Sequence, residues 1–201
     1  MHKLEFFFDC SSPWTYLGFE SLQILVARHP DLEIKYRPFL VGGVFNSVNP
    51  SVYNNRENPV VPKMHYSKKD LQDWAQFVGI EIGKPPVFPV NSVKAMRGAF
   101  VALEKNCLVD YSRAVFKRYW TDLADISQVD VLKEIVLEVG LDSDDFFNKI
   151  NEKAYKDKLK DTTDELIARG GFGSPTMFLD DQDMYFGNDR FPLIEAKLLR
   201  S

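Results

Sequence analysis

A short aromatic strand that runs straight into a helix is the feature that most restricts the fold of this chain. Residues 3–8 read Lys-Leu-Glu-Phe-Phe-Phe and are followed by a turn-forming run of Asp, Cys, Ser and Pro, which predicts a buried strand. Pro13 suits the first turn of a following helix because it has no N–H to satisfy there, and either Ser11 or Ser12 can cap that helix. Residues 32–39 alternate apolar and charged side chains and predict a second strand. A right-handed crossover makes the two strands parallel, so the chain begins with a β-α-β unit.

The segment after that unit has a different character. Residues 41–63 are rich in Asn and Pro and predict a long polar loop of the kind that often binds ligands. Helical spacing of apolar residues beyond the loop predicts a helix capped by Ser67 and further helices over residues 93–103, 110–123, 128–138 and 143–169.

The strand pattern returns near the carboxyl-terminal end. Residues 176–179 and 184–186 predict two strands joined by a polar four-residue turn, which is the pattern of a β-hairpin. Residues 187–190 then cap a final helix. The sequence therefore predicts an α/β fold of order β-α-β, helical insertion, β-β-α. One domain is expected over residues 1–40 and 171–201, and a binding loop plus helical insertion domain over 41–170.

Composition limits the classes of partner. With 25 basic and 29 acidic residues among 201, the formal net charge is −4, so neither nucleic acid nor an anionic membrane surface is expected as the main partner. No apolar run approaches the ~18 residues of a spanning helix, and no signal-like stretch precedes the first strand, so we expect a cytoplasmic protein. No cluster of His, Cys and carboxylates has metal-ligand spacing, so no metal is expected. Cys10 and Cys107 form no CxxC pair and suit a reducing compartment.

Residues 8–18 carry a family resemblance that extends over essentially the whole chain. They read Phe-Asp-Cys-Ser-Ser-Pro-Trp-Thr-Tyr-Leu-Gly. This is similar to the Asp-x-x-Ser-Pro-Tyr-Ser-Tyr-Leu element of the thioredoxin-like branch that contains kappa-class glutathione transferases, 2-hydroxychromene-2-carboxylate isomerases and DsbA-type disulfide oxidoreductases. The resemblance implies a thioredoxin-like fold with an all-helical insertion. Disulfide-exchanging relatives have Cys-Pro-x-Cys here, so Ser12 and Thr15 occupy the two cysteine positions. Because neither hydroxyl can form a disulfide, the protein is not expected to be a dithiol oxidoreductase.

Two further motifs resemble the elements with which this family binds glutathione. Phe-Gly-Ser-Pro-Thr is similar to the family's Gly-x-Pro-Thr segment, in which the proline follows a cis bond. The resemblance implies that the main chain of Ser174, before Pro175, pairs with glutathione as an added strand does. Gly-Asn-Asp-Arg resembles the family's Phe-Gly-x-Asp-Arg, which implies that Asn188 and Asp189 hold the γ-glutamyl end of glutathione.

The polar loop contributes a lysine and an asparagine in this family. Pro-Lys-Met-His-Tyr resembles the family's Lys-x-x-Tyr element, so Lys63 is expected to bind the glycyl carboxylate of glutathione. The family also has an asparagine upstream of a proline-rich stretch. Asn49, Asn55 and Asn58 all fit it with different gaps, and Asn55 is preferred.

The substrate side of the site is less well defined. Phe-Pro-Val-Asn-Ser, followed by Ala-Met-Arg, resembles a stretch of the isomerase branch and favours an isomerase over a transferase. Trp14, Asn91 and Arg97 are the candidates for the substrate pocket, and the charge of Arg97 suits an aromatic carboxylate. Cys10 is interpreted as a small buried filler and Asp9 as a turn former.

The function expected from these residues is activation of a glutathione thiol. Unpaired N–H groups and the positive dipole end at a helix N-terminus stabilise a thiolate, and the Ser12 hydroxyl adds a hydrogen bond. Reversible addition of that thiolate to a conjugated aromatic substrate gives an isomerase. Release of the adduct of an electrophile gives a kappa-class-like transferase. A third interpretation is a non-catalytic thioredoxin-fold protein that binds peptides or thiols. The resemblance also implies a homodimer.

Overall fold

The computed structural model describes residues 2–200. Within that range the chain forms four strands and ten α-helices. The strands are β1 (Lys3–Phe8), β2 (Glu33–Pro38), β3 (Thr176–Leu179) and β4 (Asp183–Phe186). The helices are α1 (Pro13–Arg28), α2 (Val41–Val48), α3 (Ser51–Glu57), α4 (Val61–Val78), α5 (Val93–Glu104), α6 (Leu108–Trp120), α7 (Val129–Glu138), α8 (Ser143–Asn151), α9 (Lys153–Ala168) and α10 (Phe191–Leu198). A 3-10 turn, Asn188–Arg190, precedes α10.

The strands form one mixed sheet in the order β2-β1-β3-β4. β1 runs parallel to β2, with Phe6 opposite Tyr36, and antiparallel to β3, with Phe6 opposite Met177. β3 and β4 form the predicted hairpin, but Asp183 already pairs with Leu179, so the turn is one residue shorter than predicted. The β-α-β start, the helical middle and the β-β-α end are confirmed.

Alternate side chains of β1 reach two different apolar cores. Phe6 and Phe8 face the larger core, which contains much of α1 and the helical segment. Phe7 faces a smaller core with Val44 of α2 and Leu166 of α9. Because successive strand residues point to opposite faces, the all-aromatic end of β1 shows that both faces of the sheet are covered.

The prediction of a long loop over residues 41–63 was wrong. The segment forms α2, α3 and the start of α4, which begins at Val61 rather than after Ser67. The sequence carries little local indication of these helices, because no side-chain hydrogen bond caps α2, α3 or α4. α2 is held by burial of Val41 and Val44 in the smaller core, so tertiary packing overrides the weak local signal.

The helix predicted over residues 143–169 is two helices. Glu152 lies between α8 and α9 with φ −65° and ψ 148°, an extended conformation that interrupts the helical hydrogen bonds. The charged sequence has no Gly or Pro at this point, and the break therefore gave no sequence signal.

Candidate active site

Ser12 occupies the N-cap of α1, directly after the end of β1. Its backbone is extended, with φ −107° and ψ 125°, and its Oγ accepts a hydrogen bond from the Thr15 N–H at 3.3 Å. Pro13 has no N–H, and the Trp14 N–H donates to no group in the part of the chain that the structure describes. The start of α1 therefore presents an unused amide and the positive end of the helix dipole beside a half-buried hydroxyl.

The Ser174–Pro175 turn packs against this helix start. The peptide bond between the two residues is cis, as the resemblance implied. The Ser12 hydroxyl lies 3.5 Å from the Ser174 carbonyl oxygen, and the Thr15 Oγ1 lies 2.7 Å from the Ser174 Oγ. The Asp9 N–H also donates to the Ser174 Oγ, at 3.2 Å. The start of α1 and the turn that leads into β3 therefore meet at Ser174.

Gly18 permits the close approach of α1 to this turn. A Cβ at this position would lie 2.9 Å from Pro175 Cγ and 3.7 Å from Asn188 Cα. The Gly187 N–H donates to the Pro175 carbonyl at 3.1 Å and fixes the 3-10 turn next to it. Ser12, Ser174, Pro175 and Asn188, all predicted site residues, are thus brought together.

Asp9 lies fully buried beneath the turn. Its Oδ1 accepts from the Ser11 N–H and its Oδ2 from the Val41 N–H, each at 2.9 Å, and the Ser92 hydroxyl donates to the same carboxylate. Burial raises the pKa of Asp9, while these hydrogen bonds act in the opposite direction. Asp9 forms the predicted turn, and it also ties the turn to the starts of α2 and α5. That second role had no signal in the local sequence.

Asn188 and Asp189 differ in their surroundings. Asn188 is 7% exposed, and its Nδ2 has no hydrogen-bond partner among the described residues. Asp189 is half-exposed and forms an ion pair with Arg190 at 3.1 Å. An unpartnered buried amide is unusual and makes Asn188 a ready donor to a ligand.

The residues predicted in the loop are not joined to Ser12 by any contact in the structure. Lys63, in the first turn of α4, and Asn55, on α3, are exposed, and neither side chain has a hydrogen bond or ion pair within residues 2–200. Asn58, directly after α3, donates to the side-chain oxygen of Asn54 at 3.1 Å. Asn49 instead donates to the Phe172 carbonyl at 3.1 Å, and this ties α2 to the segment that leads into Ser174.

The three predicted substrate-pocket residues have different surroundings. Trp14 packs half-buried at the edge of the larger core. Asn91 accepts from the Val93 N–H at 3.1 Å and so stabilises the start of α5. Arg97 lines a cavity between α2, α5 and α9, and neither Trp14 nor Asn91 lines that cavity.

Neither native cysteine supplies a reactive thiol at the site. Cys10 is 2% exposed, and burial raises the pKa of its thiol well above the usual value. Its main chain is held by a bond from Trp120 Nε1 to the Cys10 carbonyl at 2.9 Å and by the approach of Cys10 N to Met96 Sδ at 3.4 Å. Burial also raises the pKa of Cys107. Both thiols are free, and Cys10 fits the filler interpretation.

An aromatic group on the far side of Cys10 gave no signal in the sequence. Phe88 is 50% exposed and lies 6.1 Å from the ring of Trp120, the residue that bonds to Cys10. The Arg56 guanidinium lies 5.3 Å from the Phe88 ring and 5.7 Å from that of Phe45. The peptide bond before Pro89 is cis, which the proline-rich sequence did not reveal.

Two classes of site are not found among the described residues. No group of three or more His, Cys, Asp and Glu within residues 2–200 is arranged to hold a metal ion. None of the helices in that range combines the length and apolar character needed to cross a membrane.

The family model, the similar sequences and the similar solved structure all point to the same group of proteins. The family model of the DsbA-like thioredoxin domain matches residues 3–199. A 2-hydroxychromene-2-carboxylate isomerase of Pseudomonas putida is 32% identical over 98% of this chain and 94% of its own length. Glutathione S-transferase kappa 1 of Caenorhabditis elegans is 26% identical over 98% and 91%. A solved structure of 2-hydroxychromene-2-carboxylate isomerase superposes with a TM-score of 0.85 at 29% identity, covering 98% of this chain and 95% of that one.

Proposed function

The chain belongs to the family of DsbA-like thioredoxin domains, and from that premise we propose that it is a glutathione-dependent isomerase of the 2-hydroxychromene-2-carboxylate isomerase type. Its relatives are named as isomerases and glutathione transferases, and the chain is an enzyme of this type. One observation carries the proposal. Ser12 stands at a helix N-terminus beside the cis Ser174–Pro175 turn, a place suited to a thiolate, and neither Ser12 nor Thr15 is itself a thiol.

The thiol must come from a ligand. Cys10 is enclosed in the core with a raised thiol pKa, so it is not available at the surface of the turn. Glutathione is a small peptide that carries a thiol, and the main chain of Ser174 suits such a peptide. Its N–H donates to no group within residues 2–200, and its carbonyl receives only the long 3.5 Å contact from Ser12.

The donors at the start of α1 can supply the free energy that is needed to stabilise the thiolate. Lowering a thiol pKa from ~8.5 by about two units requires roughly 2.7 kcal/mol of preference for the thiolate. Hydrogen bonds to a charged group contribute about 1.5–3 kcal/mol each, and the helix dipole about 0.3–1 kcal/mol. The Ser12 hydroxyl and the unused Trp14 N–H are two such donors. Bound glutathione supplies the nucleophile for reversible addition to a conjugated aromatic substrate.

Other residues of the chain hold the ligand in this proposal. The unpartnered Nδ2 of Asn188 and the half-exposed Asp189 bind its γ-glutamyl end. Lys63, an exposed cation in the first turn of α4, binds its glycyl carboxylate, and Asn55 assists from α3. The proposal includes the cytoplasmic location and the homodimer that the family resemblance implies.

Conjugation of electrophiles by a kappa-class-like transferase uses the same residues. The isomerase is preferred because the Phe-Pro-Val-Asn-Ser stretch resembles the isomerase branch. The identity to the isomerases is also slightly higher, 30–32% against 26–29% for the kappa-class transferases. Incubation with glutathione and a panel of conjugated aromatic carboxylates separates the two functions. Isomerised product with no loss of glutathione supports the isomerase, and stoichiometric loss of glutathione identifies a transferase.

Ionisation of the bound thiol tests the shared step. We expect the thiol of bound glutathione, followed by thiolate absorbance against pH, to titrate at least one unit below ~8.5 in the unchanged protein. Ser12→Ala should raise that pKa and lower turnover at least tenfold while glutathione affinity changes little. Ser21→Ala, which removes a hydroxyl from the same helix outside the site, is the control.

An unshifted thiol pKa in the unchanged protein would leave the non-catalytic, peptide-binding interpretation as the better one. Normal turnover in Ser12→Ala would remove Ser12 from the mechanism.

A further inference from the structure

A cavity of about 350 Å³ lies between α2, α5 and α9. Its walls are apolar at Leu40, Val93 and Leu159. Three cationic side chains border it: Arg97, Lys156 and Lys160. The volume is within the range of small-ligand pockets, about 300–1,000 Å³. We call it the α2–α5–α9 cavity.

Arg97 enters this cavity without a counter-ion. Its Nε is buried and has no hydrogen-bond partner among the described residues, and its Nη1 makes only a 3.5 Å contact with the Ile150 carbonyl. Within residues 2–200 no carboxylate forms an ion pair with it. Burial lowers the pKa of the guanidinium, but an arginine stays protonated in proteins. The charge is therefore half-buried and uncompensated.

The other charges at the cavity do not neutralise Arg97. Lys156 has no ion pair among the described residues. Asp164, the acidic residue of the lining, is paired with Lys160 one helical turn away. The cavity therefore carries an excess of about two positive charges above apolar walls.

We propose that the α2–α5–α9 cavity binds a small organic carboxylate with an apolar body, and that Arg97 holds the carboxylate. A half-buried cation whose buried Nε has no partner carries a desolvation cost, so an anion that reaches it gains both charge and hydrogen-bond energy. The planar guanidinium presents paired N–H donors that match a carboxylate. The apolar walls select against inorganic anions, which bury no apolar surface.

This site is separate from Ser12. On α5, Met96 faces Cys10, and the next residue, Arg97, points about 100° away around the helix axis. None of the predicted glutathione-binding residues lines the cavity. The nearest link runs through Leu40, whose neighbour Val41 donates to Asp9. The proposal therefore does not depend on the proposed function.

Binding of phenylacetate, followed by calorimetry and by chemical-shift changes in the protein, tests the proposal. The unchanged protein should bind phenylacetate at least tenfold more tightly than phenylacetamide, which has the same shape without the charge. Arg97→Gln should weaken phenylacetate binding at least tenfold. Lys94→Gln removes an exposed cation from the same helix outside the cavity and should change the affinity less than twofold.

Two further measurements test whether the cavity is separate from the Ser12 site and whether the ligand occupies it. Saturating glutathione and Ser12→Ala should each leave the phenylacetate affinity within twofold. Ser47→Phe, at an exposed position of the lining, should block the cavity and abolish binding even if Arg97→Gln folds poorly. Absence of binding to the unchanged protein, equal affinity in Arg97→Gln, or displacement by glutathione would each overturn the proposal.

Discussion

Thr15 has a structural role in this protein. The family resemblance places it at a position that is a cysteine in disulfide-exchanging proteins. Its side chain is fully buried, and its hydroxyl lies 2.7 Å from that of Ser174. The Ser174 hydroxyl also accepts from the Asp9 N–H. Thr15 thus positions the turn that contacts Ser12, in place of any thiol chemistry.

Thr15→Val should destabilise the protein by about 1–2 kcal/mol. Valine keeps the shape of threonine but leaves the buried Ser174 hydroxyl without this partner, and an unsatisfied buried group costs about that much. The free energy of unfolding in urea measures the change. Thr121→Val, which removes a solvent-exposed bond to the Glu81 carbonyl, should cost less than about 0.5 kcal/mol. Equal losses in the two variants would contradict this role for Thr15.

Short motifs made several residues predictable from the sequence. Ser12, Ser174 and Pro175 stand in local patterns with a known geometry, and the structure brings them together. The bonds from Val41 and Ser92 to Asp9 join residues far apart in the chain. No local pattern encodes such contacts, so only the folded chain reveals them.

At the scale of elements, α9 is fastened to β1 by ion pairs around a buried carboxylate. Glu5 is 2% exposed, and its Oε2 lies 2.5 Å from Arg169 Nη1 at the end of α9. Lys35 and Arg37 of β2 approach the other oxygen at 3.4 and 3.8 Å. Burial alone would raise the pKa of Glu5, but these three cations hold it below the usual value.

Arg169→Gln should lower the free energy of unfolding by about 2–4 kcal/mol near neutral pH. It leaves Glu5 with only its two more distant cations, and the guanidinium also loses its packing 3.8 Å from the Phe178 ring. Lys153→Gln, which breaks an exposed ion pair on the same helix, should cost less than about 0.5 kcal/mol.

The cost of Arg169→Gln should depend on pH. A carboxylate with a lowered folded-state pKa adds stability above its unfolded pKa, ~4.3, and loses it as the pH falls through the folded pKa. The difference between the two proteins should therefore shrink as the pH is lowered from about 6 to about 3. A difference that stays constant over that range would show that lost packing, not charge, causes the effect.

Element boundaries could be predicted where local chemistry marks them. The Ser-Pro start of α1 and the polar turn of the hairpin are such marks. α2 and α3 were missed because their stability comes from neighbours, Val44 in the smaller core and Arg56 against two aromatic rings. The polar, proline-containing sequence of this segment favours a loop until those neighbours are known.

At the scale of the whole molecule, the division into a domain of residues 1–40 and 171–201 and an insertion of 41–170 stays a prediction.

The homodimer is a second prediction about the whole molecule. α4 exposes Tyr66 at 64% and Phe77 at 80%, and we propose this helix as the contact between the two copies.

Sedimentation velocity should therefore give twice the mass of one chain at micromolar concentration. Phe77→Ser should raise the dimer dissociation constant at least tenfold, because it removes apolar area from the proposed contact. Leu193→Ser removes an apolar side chain of 53% exposure from α10 and should have no effect. A single-chain mass for the unchanged protein at all concentrations would exclude the dimer.

The strand order has a consequence for synthesis. β1 lies between β2 and β3, but β3 begins only at Thr176, so one edge of β1 lacks its neighbour until most of the chain has left the ribosome. A nascent chain with an open aromatic strand edge is exposed to aggregation, and contacts so distant in sequence form slowly. The helices from α5 to α8 pack largely on one another and can form in the meantime. The pocket around Ser12 is accordingly among the last parts of the molecule to assemble.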